Sequence, residues 1–142
     1  MNKVFSSSPI WQQQGLGLIR ITTGFFMIYH GYEVFDSETM NGYLTWEMFK
    51  DRPSGKFLIY TGKIAELIAG ILLFIGLFTR LSAIVIALTM LSISLFVGKG
   101  RIWYEDQHPF LFVLLALVFV FAGPGSWSID NLLDREKNDT PS

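Results

Sequence analysis

The chain contains no cysteine. That absence excludes disulfides, thiolate metal sites, iron–sulfur ligation and dithiol redox chemistry in one step. Charge is scarce as well: charged residues make up 16%, and the formal net charge is -1. Mixed signs at that density give no electrostatic case for nucleic acid. Gly15-x-Gly17 and the later Gly123-Pro-Gly125 have no flanking strand, so neither is a nucleotide-binding loop. No internal repeat stands out. The first fifteen residues lack a short apolar core followed by a small-residue cleavage site, so no signal peptide is expected.

What the chain does have is apolar bulk. Hydrophobic residues make up 51% and aromatics 15% of 142 residues, enough for one greasy domain. Four apolar runs can be marked, at about residues 15–32, 57–78, 81–98 and 109–122. The second and third reach bilayer-spanning length, and the first does so if Tyr32 to Phe35 extend it into the headgroups. The fourth is short, roughly 15 residues or about 22 Å of helix. Trp11, Trp46, Trp103, Tyr104 and Trp127 fall just outside these runs, as an interfacial aromatic belt requires.

The expected fold is all-α, a transmembrane up-down four-helix bundle, because short connections favour antiparallel neighbours. Short interfacial helices are expected in the first loop, around residues 43–49, and after the last span, where Ser128 would cap residues 128–133. The domain reading is an N-terminal segment (1–14), a membrane domain (15–130) and a flexible charged tail (131–142). Basic residues divide four against five between the two sides, so orientation is not specified.

An ionisable side chain in such a run costs several kcal/mol unless it is paired, neutralised or wetted. The second run carries Glu66 near its middle. On a helical wheel Gly62, Glu66, Ala69, Gly70, Leu73 and Leu77 share one face. In the first run Arg20, Thr23, Gly24, Met27, His30 and Gly31 share another, with Gly17, Gly24 and Gly31 forming a seven-residue seam for close helix approach. Counting at 1.5 Å per residue puts Arg20 roughly 10 Å and His30 roughly 7 Å from the level of Glu66. Lys63, three residues before Glu66, is a third candidate partner.

Two readings of this set stay open. Ion pairs inside a bundle can act as a structural lock. Alternatively, Glu66, Arg20, His30 and Lys63 line a polar cavity that binds a quinone or another amphipathic ligand, or passes protons. His30 and His108 both fall toward the loop side and invite a bis-histidine haem, but a histidine beside Pro109 reads better as an interfacial polar residue. Asp106 with His108 is an equally weak surface metal pair, and no metal is expected.

Arg20-Ile-Thr-Thr-Gly24, His30-Gly31-Tyr32, Glu66-Leu-Ile-Ala-Gly70, Gly76-Leu-Phe-Thr-Arg80, Gly123-Pro-Gly125 and Ser128-Ile-Asp130 together resemble the DoxX family, over roughly residues 15–130. The resemblance implies a small bacterial inner-membrane protein of four helices. It further implies a subunit or accessory of a quinone-linked redox system, either like the thiosulfate:quinone oxidoreductases or tied to oxidative stress. Redox partner proteins and a homo-oligomer fit that role. Arg20, His30, Gly31, Glu66 and Arg80 are the matching positions. Relatives often carry a lysine shortly after the His-Gly pair, where this chain has Glu33. The competing functions are a membrane scaffold whose charges only hold the bundle together and a small oligomeric transporter.

Overall fold

The computed structural model describes residues 7–139, and among these the fold is all-α. The order is α1 (Gln12–Tyr32), a 3-10 turn (Glu33–Phe35), α2 (Ser37–Tyr43), α3 (Gly55–Ile75), α4 (Thr79–Ser92), a π-helical turn (Ile93–Val97), α5 (Gln107–Ala122) and α6 (Ile129–Asp139). The four long helices pack in sequence, α1 on α3, α3 on α4 and α4 on α5, and α5 returns to touch α1. Their shared core holds Met27, Leu73, Ile86, Ala116 and Phe119.

Local signals set the ends of these helices. Gly76 stops α3 in a left-handed conformation at φ 70°, a backbone state that costs a residue with a Cβ about 1 kcal/mol or more. Its N–H returns to the carbonyls of Leu72 and Leu73. Pro109 lies in the first turn of α5, where no intrahelical N–H is needed, and Gly123 with Pro124 closes the other end. Asp36 caps α2: one carboxylate oxygen accepts from the Glu38 N–H at 3.0 Å, the other from the Thr39 hydroxyl at 2.6 Å.

Helices α1 and α3 lie closest. A Cβ added to Gly24 would stand 2.6 Å from the Phe74 nitrogen, and one added to Gly70 would stand 2.8 Å from the Ile28 nitrogen. Gly31 is pressed in the same way against Leu67. Pairing 24 with 74 and 31 with 67 makes the two helices antiparallel. Of the glycines expected to pack, Gly62 is different: nothing lies within 4 Å of where its Cβ would be, and it opens onto a cavity. Gly17 does pack, but against Ser126 and Trp127 rather than against α3.

The distribution of side chains is inside out. Arg20 is 0% exposed and Glu66 2%, while Phe57 is 71%, Leu88 61% and Phe121 79% exposed. Apolar surface on that scale is unusual for a chain surrounded only by water.

Some expectations hold and others need correction. Two helices, Gly55–Ile75 and Thr79–Val97, are long and apolar enough to cross a membrane by length and composition, the two runs whose length sufficed in the sequence. Helix α1 has the length, but Gln12 to Gln14, Arg20 and two threonines lower its hydropathy, and α5 has only 16 residues. The loop helix is Ser37–Tyr43, placed earlier than expected by the Asp36 cap. The terminal helix α6 runs on to Asp139, longer than the expected residues 128–133, and Thr140 to Ser142 lie outside the described residues. Ser128 does cap it, accepting from the Asn131 N–H at 3.2 Å.

Candidate functional site

The buried polar residues form two separate centres, one at each end of the α1–α3 pair. At the end where α1 begins, the Arg20 guanidinium is enclosed by backbone carbonyls. Its Nη1 donates to Leu73 and Phe74 oxygens, both at 2.7 Å. Its Nε donates to Pro124 at 2.9 Å, and its Nη2 to Trp127 at 2.7 Å and Ser126 at 3.3 Å. A buried cation needs such compensation, and the C-terminal carbonyls of α3 carry the negative end of the helix dipole. Asp130 continues the lock. Its carboxylate accepts from the N–H groups of Phe78 at 2.8 Å and Thr79 at 2.9 Å, capping α4, while its own N–H donates to the Gly76 carbonyl at 2.9 Å.

Arg20 is therefore not the counter-charge of Glu66. The reason is register. The glycine pairing sets Arg20 level with the turn after α3, about 12 residues or roughly 18 Å along the axis from Glu66. Helix α1 starts at Gln12 and overhangs the end of α3, which the axial count did not anticipate.

The second centre lies where α1 ends, and Lys63 organises it. Its Nζ is 3.0 Å from a Glu66 oxygen and 2.8 Å from a Glu33 oxygen, and it donates to the His30 carbonyl at 3.3 Å. Those three bonds use all the donors an ammonium has. The Tyr43 hydroxyl donates to the same Glu33 oxygen, and the Tyr43 ring lies 5.1 Å from Nζ. One ammonium thus serves two carboxylates. Burial alone would raise Glu33, but hydrogen bonds from Lys63 and Tyr43 outweigh it and hold the carboxyl below its ordinary value. Burial, reinforced by the bond to Glu33, pushes the Tyr43 phenol up.

A cavity of about 420 Å³ opens beside this centre. Lys63, Glu66, His30 and His108 supply its polar wall, and residues such as Trp46, Ile59, Met90 and Phe96 supply the apolar one. The two imidazoles meet edge to face at 5.5 Å, His30 from α1 and His108 from the first turn of α5. Among the described residues no hydrogen bond to the protein occupies either ring, so their nitrogens are among the polar groups of the wall open to a ligand.

Of the candidates read from sequence, the structure brings together Lys63, Glu66 and His30, with His30 touching Lys63 through its carbonyl rather than its ring. Asp106 is turned away from His108: it accepts from the Lys99 N–H at 3.0 Å and the Arg101 N–H at 2.8 Å and closes the loop before α5. Among the described residues no group of three or more His, Asp or Glu gathers in a way that could hold a metal. Sequence reasoning missed Glu33 and Tyr43. The available signal was Glu33 one helical turn after His30, a second acid at the same end of the span.

The family model for DoxX matches residues 15–99, more than half of the chain. This chain belongs to the DoxX family. The DoxX match covers α1 to the π-helical turn, so it includes Arg20, His30, Glu33, Lys63 and Glu66 and stops before α5. The chain is 29% identical over 125 residues to an uncharacterized protein of Haemophilus influenzae, covering 82% of this chain and 88% of the relative. It is 27% identical over 138 residues to a Bacillus subtilis protein named "Putative oxidoreductase CatD", covering 96% of this chain and 95% of the relative. No solved structure matches it. Membership of DoxX makes this a membrane protein in contact with the lipid bilayer, in keeping with its apolar exterior.

Proposed function

We propose that the chain crosses a bacterial inner membrane four times and binds an amphipathic ring, a quinone, as a subunit or accessory of a quinone-linked redox system. The cavity beside Lys63 and Glu66 carries the reading. Its volume of about 420 Å³ lies within the range of small-molecule sites, and its wall is mostly apolar, with the buried charges and two imidazoles among its few polar groups. The imidazole N–H groups of His30 and His108 are the donors for carbonyl oxygens, and Glu66 is the group that exchanges a proton. A bound quinone supplies the electron-carrying chemistry, which the side chains themselves lack. The name of the Bacillus relative is consistent with a redox role.

Trp46 on the cavity wall gives a direct test. In a W11F/W103F/W127F background, ubiquinone-1 is expected to quench Trp46 fluorescence saturably, and Glu66→Gln is expected to weaken that quenching roughly tenfold or more. Unsaturable quenching, or identical curves for both proteins, would sink the reading.

The second reading is a scaffold held by buried charges. The Arg20 centre favours it, since every bond made there fastens helix ends and none faces the cavity. On that reading Glu66→Gln lowers the melting temperature and changes no ligand titration.

A further inference from the structure

We propose that Glu33, Lys63 and Glu66 form a proton path from the loop-side surface to the cavity, with Glu33 as its outer end. Side-chain exposure falls along the series, from 28% at Glu33 to 13% at Lys63 and 1% at Glu66. Hydrogen bonds join the three continuously, at 2.8 Å and 3.0 Å. Glu33 is not on the cavity wall, whereas Lys63 and Glu66 are. The chain therefore has one end toward water and the other on the cavity.

The charge count makes the path work. Two carboxylates share one ammonium, so the cluster has room for one more proton. A proton from loop-side water binds Glu33. Lys63 passes one of its protons to Glu66, and the resulting amine takes the proton held by Glu33. At the end Glu33 is again a carboxylate, Lys63 again an ammonium, and Glu66 is a neutral acid facing the cavity. No other group is consumed. Lysine suits the middle position because its ammonium can lose and regain a proton, which a guanidinium does not do. Tyr43 from α2 fixes Glu33 from one side and faces Lys63 with its ring. His30 from α1 and His108 from α5 are the remaining titratable groups around the cluster, and both lie on the cavity side. What the delivered proton is used for rests on the quinone reading. The route does not.

The test is hydrogen–deuterium exchange at Glu66, in the full-length protein in liposomes. Infrared spectroscopy follows the carbonyl stretch of the neutral acid, assigned by its loss in Glu66→Gln, as D2O buffer replaces H2O. Wild type is expected to exchange as fast as the buffer does. Glu33→Gln keeps an acceptor for Lys63 but cannot carry the proton, and should slow exchange roughly tenfold or more. Lys63→Gln should slow it comparably. Glu105→Gln, an exposed carboxylate paired with Arg101 and off the cavity wall, should leave it unchanged. Wild-type exchange in either folded Glu33→Gln or Lys63→Gln overturns the path, as does the lack of any Glu66 acid band between about pH 5 and 9. Ubiquinone-1 quenching of Trp46 is read on the same proteins. Slowed exchange without quinone binding keeps the path and removes the quinone reading, and the reverse result does the opposite.

Discussion

Arg20 Nη1 lies 2.7 Å from the carbonyl oxygen of Leu73, so the charge of α1 is bound to the end of α3 rather than to its acid. Four further bonds from the same guanidinium reach Phe74, Pro124, Ser126 and Trp127. Hydrogen bonds from a charged donor are worth about 1.5–3 kcal/mol each, and several are lost together in Arg20→Gln. The expected loss is about 3 kcal/mol or more, seen as a lower melting temperature in detergent. Quinone titration of the protein that remains folded should be unchanged, because this centre lies about three helical turns from the cavity. A selective loss of ligand binding at unchanged stability would contradict the assignment.

Asp130→Ala tests the other half of that lock. It removes both acceptors that cap α4 at Phe78 and Thr79. Loss of a side-chain cap costs about 0.5–2 kcal/mol, and the destabilisation should fall in the upper part of that range. Native-state hydrogen exchange should show the loosening first at the amides of Phe78 and Thr79.

The sequence shows a good deal of this arrangement, and its failures have physical causes. Wheel geometry put Glu66 with Ala69, Gly70 and Leu73, and all four are buried on one face of α3. It also put Arg20, Thr23, Gly24, Met27 and Gly31 on the inner face of α1. What a wheel lacks is axial register, which depends on where each helix starts and on which glycines meet. Without it Arg20 fell near Glu66, and the cage made by the carbonyls of Leu73, Phe74, Pro124, Ser126 and Trp127 could not be foreseen. Glu33 and Tyr43 were hidden for another reason. Both lie in the chain between α1 and α3, where neither periodicity applies, and the Asp36 cap folds that segment back over Lys63.

The α1–α3 contact can be probed at two glycines of one helix. Gly70→Ala places a Cβ 2.8 Å from the Ile28 backbone, which must move, and overpacking of that kind costs about 1–3 kcal/mol. Gly62→Ala meets nothing within 4 Å and gains helix propensity, so it should be neutral or slightly stabilising. Thermal unfolding of the two variants separates them. Equal losses would mean that Gly62 also packs against a neighbour.

Stability should depend on acid through Glu33. Burial raises this carboxyl, but the bonds from Lys63 and Tyr43 hold it below its ordinary value of 4.5 in the folded protein. The folded state then binds its proton less readily than the unfolded chain does. Its contribution is therefore complete at pH values above the unfolded value and is lost as pH falls through the folded one. Melting temperature should accordingly drop on acidification below about pH 4.5, and Glu33→Gln should flatten that limb while lowering the plateau at neutral pH. Tyr43→Phe removes one of the two stabilising bonds, so its limb should begin at higher pH than in wild type. Identical acid limbs in wild type and Glu33→Gln would mean that another carboxylate controls the transition, and that Glu33 is not bound to Lys63 in the folded protein.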